Sequence, residues 1–113
     1  EPQVASLLGN VPSGEERRLD NGSRLKVIAT FKDETGGLCR EFEVDGTDGK
    51  ALVSVACRAG AVWDLRFTVA AAQNELGYAP ASSLETLDAF YTATGALPPL
   101  SADEEKAALA GLQ

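Results

Sequence analysis

Four turn signals at near-regular intervals constrain this chain more than any other feature. Asn21-Gly22, Asp33-Glu34-Thr35-Gly36, Asp45-Gly46-Thr47-Asp48-Gly49 and Ala59-Gly60 punctuate the stretch from Glu15 to Ala70. Between them, apolar and polar residues alternate. The alternating segments are Leu25 to Phe31, Leu38 to Val44, Ala51 to Arg58, and Ala61 to Val69, the last carrying Trp63, Leu65 and Phe67 at period two. That period marks strands with one buried face. Connections this short join antiparallel neighbours, because a parallel pair needs a long crossover. With Arg17 to Asp20 as the first strand, residues 12–70 read as a five-stranded antiparallel β-meander. Asn21-Gly22 predicts a type I′ hairpin turn.

The flanks read as helix. Val4, Leu7 and Leu8 share one face of a short helical turn over residues 3–9, which Pro12-Ser13-Gly14 ends. Beyond Ala70, Asn74 to Pro80 reads as a loop. Ser82 and Glu85 then have the spacing of a capping box, and Leu84, Leu87 and Tyr91 recur at helical spacing beside Phe90. Gly95 is a stop signal. Pro98-Pro99 separates this helix from a second one capped by Ser101 and Glu104, which runs through Glu105 to Leu109. The expectation is an α+β fold: a sheet over 12–70 and a helical segment over 82–112 whose two helices pack on one face. Residues 1–113 form a single domain, as the length implies.

Register follows from which pairing brings apolar residues together. Setting Lys32 opposite Gly37 pairs Phe31 with Leu38, Val27 with Phe42 and Leu25 with Val44, and places Lys26 across from Glu43. The predicted core face is therefore Leu25, Val27, Phe31, Leu38, Phe42 and Val44, extended by Trp63, Leu65, Phe67 and Val69. Leu84, Leu87 and Tyr91 cover it. Lys26, Thr30, Glu41, Glu43, Asp64 and Arg66 fall on a solvated face.

Composition excludes a good deal of chemistry. The chain has no histidine and two cysteines, so histidine triads, histidine-ligated metals and a four-thiolate zinc site are ruled out. The formal net charge is −7, and residues 71–113 carry −5 of it, with Lys106 against six acidic groups. Nucleic acid is not an expected partner. No apolar run approaches the roughly 18 residues of a membrane span. Glu41 and Glu43 form a carboxylate pair, but without further polar neighbours they read as a solvated strand face. Asp45, Thr47 and Asp48 fit a turn better than a calcium site. Neither glycine-rich turn has the helix and lysine of a phosphate loop. No catalytic residue, cofactor or metal is expected. A chain beginning at Glu1 reads as a piece of a longer protein.

The cysteines are the most informative pair. In one register of the third and fourth strands, Cys39 stands directly opposite Cys57 and a disulfide is possible; the tight Ala59-Gly60 turn, with Arg58 opposite Ala61, supports it. In the register shifted by one, Val53, Val55 and Cys57 are buried, Cys39 faces outward and no bond forms. A β-bulge reconciles the two. Arg40 and Arg58 each follow a cysteine. They admit a paired guanidinium site for an anion or partner, against ordinary salt bridges with Glu41, Glu43 or Asp64. Trp63 is either a ligand platform or core.

The string from Phe31 to Phe42, ending Leu38-Cys39-Arg40-Glu41-Phe42, is followed by Val55-Ala56-Cys57-Arg58, Gly60 and Trp63. This pattern resembles the sheet module of bacterial surface-antigen lipoproteins. It is still more similar to the extracytoplasmic C-terminal domain of alphaproteobacterial transmembrane anti-sigma factors, whose features Pro12 to Glu15 and the acidic segment Leu100 to Glu105 also match. The resemblance covers roughly residues 12–70 and, less closely, the tail. It implies a non-enzymatic sensory or regulatory domain in the periplasm, attached to a single-span inner-membrane parent. The parent's cytoplasmic part would hold a sigma factor, so that partner reaches this chain only through residues outside it. It also implies an oxidising location, and with it a Cys39–Cys57 disulfide. Its partner would be a protein of the cell envelope or a second copy paired along a free sheet edge. The alternative is a structural or binding domain of a surface-antigen-like lipoprotein.

Overall fold

The computed structural model describes residues 2–72 and 81–112. The elements in order are α1 (Pro2–Leu8), β1 (Glu16–Arg18), β2 (Arg24–Lys32), β3 (Leu38–Asp45), β4 (Lys50–Ala59), β5 (Val62–Ala72), α2 (Ala81–Thr94) and α3 (Ala102–Ala110). The five strands form one antiparallel sheet in sequence order, and two helices follow it, so the α+β class and the meander are as expected; the two helices do not share a face, because α2 packs over Cys39 and Cys57 while Glu105 of α3 reaches Arg40 on the other side. The loop expected over 74–80 and the side chains of Ser82, Leu84, Glu85 and Leu87 lie outside the described residues.

Three of the hairpins close in the same way. In the β2–β3 turn the Asp33 amide donates to Gly37 O at 3.0 Å and the Gly36 amide to Asp33 O at 3.0 Å. The same pair of bonds recurs in Leu19–Ser23 and Gly46–Lys50. This is a type I turn followed by a left-handed residue, the usual three-residue hairpin loop. Gly36 supplies the left-handed position at φ +84°, where a side chain is strained. The type I′ turn expected at Asn21-Gly22 is therefore not formed. Among the described residues only glycines have positive φ, and Asn21 instead accepts the Ser23 amide at 2.9 Å through its side chain.

Two β-bulges change which residues share a face. β2 and β3 pair as expected from Leu25↔Val44 to Val27↔Phe42, but the register then shifts around Ile28. Beyond it, Phe31 stands opposite Cys39 and Thr30 opposite Arg40. A second shift falls around Arg66, so Trp63 pairs with Arg58 and Leu65 with Ala56, while Phe67 pairs with Val55. The single core face is thereby corrected. An extra residue inverts the alternation beyond it, so each of these strands serves both faces.

The sheet is buried on both sides. On the face toward α1, Leu25, Val27, Phe42 and Ala56 pack with Leu8, Val11 and Leu19, with Trp63 at the margin. On the face toward α2, Phe31, Cys39, Val55 and Cys57 pack under Phe67, Phe90 and Tyr91. Thr30, expected in solvent, is 1% exposed, and Glu41 and Glu43 are only half-buried rather than solvated. After α2 the chain runs along the outer edge of β2. The amides of Leu97 and Leu100 donate to Lys32 O and Thr30 O, both at 2.8 Å, and Pro98-Pro99, which lacks donors, sits between them. α3 then begins at a full capping box of Ser101 and Glu104.

Cys39 and Cys57 face each other, and the register is continuous along the whole β3–β4 hairpin. They are bonded, with Cα atoms 4.0 Å apart, and no described cysteine is free. The turn joining β4 to β5 is Gly60-Ala61, with Ala59 opposite Val62 rather than Arg58 opposite Ala61. The bond joins adjacent strands under α2, where a loop of this length stabilises by about 3 kcal/mol. Cys57→Ser should lower the unfolding free energy by that order in urea titrations run without reductant. An unchanged midpoint would show that the bond adds nothing.

Candidate functional site

The residues singled out by the cysteine pattern do not converge on one pocket. Alternation along β3 and β4 sends Cys39 and Cys57 to the α2 face and Arg40 and Arg58 to the α1 face. The Asp33 carboxylate and the two sulfurs lie within 4.8 Å of one another, a spacing that suits a metal. With both sulfurs in a disulfide there is no thiolate to serve as a ligand. Asp33 instead builds its turn, accepting from Thr35 N at 2.9 Å, Thr35 Oγ1 at 2.6 Å and Gly37 N at 2.8 Å. The Thr35 hydroxyl leads the contacts that hold its carboxyl below the ordinary range.

Arg40 is 0% exposed and fully engaged. Its Nε donates to Thr30 Oγ1 at 2.9 Å, Nη1 donates to Leu8 O at 2.6 Å, and Nη2 donates to Val11 O. Nη2 also lies 3.6 Å from Glu105 Oε2 in α3. Glu105, 4% exposed, accepts the Ser13 amide at 2.7 Å and the Ser13 hydroxyl. The salt bridges expected with Glu41, Glu43 or Asp64 are not made by Arg40, and its burial removes it from any surface contact. Burial lowers the Arg40 pKa, and Glu105 counters it. Burial works against the Glu105 charge too, but Ser13, Thr30 and Arg40 together hold its carboxyl below the usual range. The bulge at Ile28 is what turns Thr30 toward Arg40.

Arg58 and Trp63 are cross-strand partners. The guanidinium lies 5.5 Å from the indole centroid and its Nε donates to Gly60 O at 3.0 Å. Trp63 Nε1 is buried and meets no acceptor among the described residues. The ring borders an apolar groove of about 310 Å³ between α1 and β4–β5, walled by Val4, Leu8, Phe42, Leu52 and Leu65. β5 is the outer strand of the sheet, and Val62 and Leu65 on it are 62% and 59% exposed.

A different site was not legible as one. On the α2 face, Glu41 Oε1 accepts the Tyr91 hydroxyl, and both border a cavity of about 360 Å³ with Ala29, Phe31, Leu97 and Pro98. Burial pushes the Glu41 carboxyl up, although the Tyr91 hydroxyl pulls it down. Burial and the Glu41 carboxylate push the Tyr91 phenol up. Two residues along β3, Glu43 is pushed up to about 7, by burial first and then by Asp45 beside it, with Lys26 opposing. The sequence offered the i, i+2 spacing of Glu41 and Glu43 but no sign that Tyr91 would close over the first.

No protein-family model, curated protein or solved structure matches the chain. No helix among the described residues is long and apolar enough to cross a membrane.

Two measurements test this arithmetic. Arg40→Met leaves Glu105 buried without its cation and should cost about 3–5 kcal/mol in chemical unfolding. Adding Glu105→Gln removes the stranded charge and should regain much of that loss. Glu43 is expected to act in the opposite direction to an ordinary ion-paired carboxylate. A carboxyl that titrates higher folded than unfolded takes up a proton on folding, so its contribution falls as pH climbs from 4.5 to about 7. Glu43→Gln should flatten that decline in a pH series of unfolding midpoints, leaving the acid-side losses from Asp33 and Glu105 in place.

Proposed function

We propose that this chain is the extracytoplasmic regulatory domain of a membrane-anchored anti-sigma factor, acting through protein contacts and not through turnover. The observation that carries the reading is the Cys39–Cys57 bond buried in the α2-side core. A disulfide in such a position is compatible with an extracellular or periplasmic location, where bonds of this kind form and persist. The rest of the pattern supports the reading in a particular way. The cysteines tie β3 to β4, Arg40 ties the sheet to α1 and α3, and Arg58 stacks on Trp63.

The contact surface favoured here is the outer part of the α1 face. Arg58, Trp63, Leu52 and Leu65 lie together there, beside the groove and on the outer strands β4 and β5. An aromatic ring and a guanidinium on a partly apolar surface are the usual anchors of a protein interface. The alternative, a surface-antigen-like lipoprotein, shares the fold and the compartment and differs in what lies upstream.

The experiment uses the complete gene product. An alkaline phosphatase fused after Gln113 should be active, since that enzyme needs an oxidising compartment, and the segment upstream of Glu1 should retain a sigma factor on a column. Leu65→Asp in the full-length protein should change sigma-dependent transcription while leaving the oxidised fold intact by circular dichroism. An inactive fusion overturns the location. A lipid-modified upstream cysteine, or failure to retain any sigma factor, overturns the regulatory reading.

A further inference from the structure

We propose that the cavity between β2, β3, the end of α2 and the Leu97–Pro99 segment binds a small organic cation. Its chemistry would be a primary ammonium on a short apolar or aromatic stem, with Glu41 as the counter-ion. This goes beyond the regulatory reading and does not depend on it.

Glu41 is a half-buried carboxylate without a cation. Its Oε1 is taken by the Tyr91 hydroxyl, and no other donor reaches it among the described residues. The described ion pairs join Arg17 to Glu15, Arg24 to Glu16, Arg40 to Glu105 and Arg66 to Asp64, and none includes Glu41. On its own face, Lys26 stands opposite Glu43, not Glu41. Arg40, next in sequence, points to the opposite face and is fully used there. The covering side has no cation to give, because the chain contains no lysine or arginine from Phe67 to Glu105. Charge left half-buried without a partner is costly, and an arriving cation recovers that cost. Burial raises the carboxyl's pKa for the same reason.

The cavity suits a small ligand in size and lining. Its volume of about 360 Å³ falls within the range of small-molecule sites. Phe31 and Tyr91 meet edge to face at 5.2 Å and 88°, so ring surface stands beside the carboxylate, as cation recognition by aromatics requires. Ala29, Ala96, Leu97 and the two prolines complete an apolar wall. That wall is pinned to the edge of β2 by the Leu97 and Leu100 amides. A preformed wall lowers the ordering cost of binding.

Benzylammonium is a suitable probe, with benzyl alcohol and benzoate as the neutral and anionic comparisons, each titrated into the oxidised protein and followed by amide chemical shifts. Benzylammonium should bind about tenfold or more tightly than the alcohol, the usual worth of one hydrogen-bonded charge. Its shifts should map to Phe31, Glu41, Tyr91 and Leu97. Glu41→Gln should abolish the preference for the cation while keeping the near-ultraviolet circular dichroism of the parent. Tyr91→Phe should weaken binding and keep the preference, and Glu34→Gln, an exposed carboxylate nearby, should change nothing. Equal affinity for the ammonium and the alcohol would overturn the proposal. So would an undiminished preference in Glu41→Gln, or shifts confined to other acidic surfaces.

Discussion

A single guanidinium organises this domain. Arg40 stands in the middle of β3 with no exposure, and its guanidinium donates to β2, the end of α1 and the loop that follows it and forms an ion pair with α3. Each of those contacts has its own geometric requirement. The bulge at Ile28 must place Thr30 toward it, the helix of α1 must end so that Leu8 and Val11 offer carbonyls, and the chain after α2 must return along β2 to bring Glu105 within reach. A buried ion pair is weak evidence for net stability, since desolvation offsets much of the attraction. Its value here is specificity: few other arrangements of α1, the sheet and α3 would satisfy a planar five-donor group and a carboxylate at once.

The disulfide and Arg40 act on opposite faces of the same strand. Neighbouring residues on a strand point apart, so Cys39 ties β3 to β4 under α2 while Arg40 ties β3 to the elements on the α1 side. For a chain of this size, one hydrophobic layer is a modest source of stability. This chain has two thinner layers, each with a specific anchor in place of a larger core. It follows that the adjacent pair Cys39-Arg40 is informative as a unit: the two residues pin the two layers to one strand.

The strands, their order and the two closing helices were legible because turn chemistry and period two are local signals. The β3–β4 register was balanced between two solutions for a physical reason. With both faces buried, Val53 and Val55 are as apolar as Leu52 and Ala56, so a hydrophobic test cannot choose, and the cysteines settle it by facing one another. The bulges were not legible. Trp63, Leu65, Phe67 and Val69 alternate without a break, yet the extra residue at Arg66 sends the first two to one face and the last two to the other. In β2 the register slips at Ile28, which is apolar like its neighbours Val27 and Ala29, so polarity does not mark the extra residue. Arg40 and Glu105 lie 65 positions apart, and the sequence carries no local mark of such a partnership.

Charge distribution completes the picture. The last third of the chain, residues 71–113, carries six acidic groups and Lys106 as its one cation. In the fold, α2 covers the Cys39–Cys57 face and brings no lysine or arginine over Glu41, α3 carries Glu105 to Arg40 on the other face, and Glu43 and Asp45 continue the row of carboxylates along β3. Of the described cations on that face, Lys26 stands opposite Glu43 and Arg66 is bonded to Asp64, and neither is paired with Glu41. The two faces therefore differ in kind. On the α1 side, buried charge is matched internally by Arg40 and Glu105. On the α2 side, among the described residues, the Glu41 carboxylate is held beside aromatic rings by the Tyr91 hydroxyl and has no cation paired with it. A fold that closes one polar network so completely and leaves the other short of a cation has the asymmetry expected when one face holds the domain together and the other is kept for a ligand.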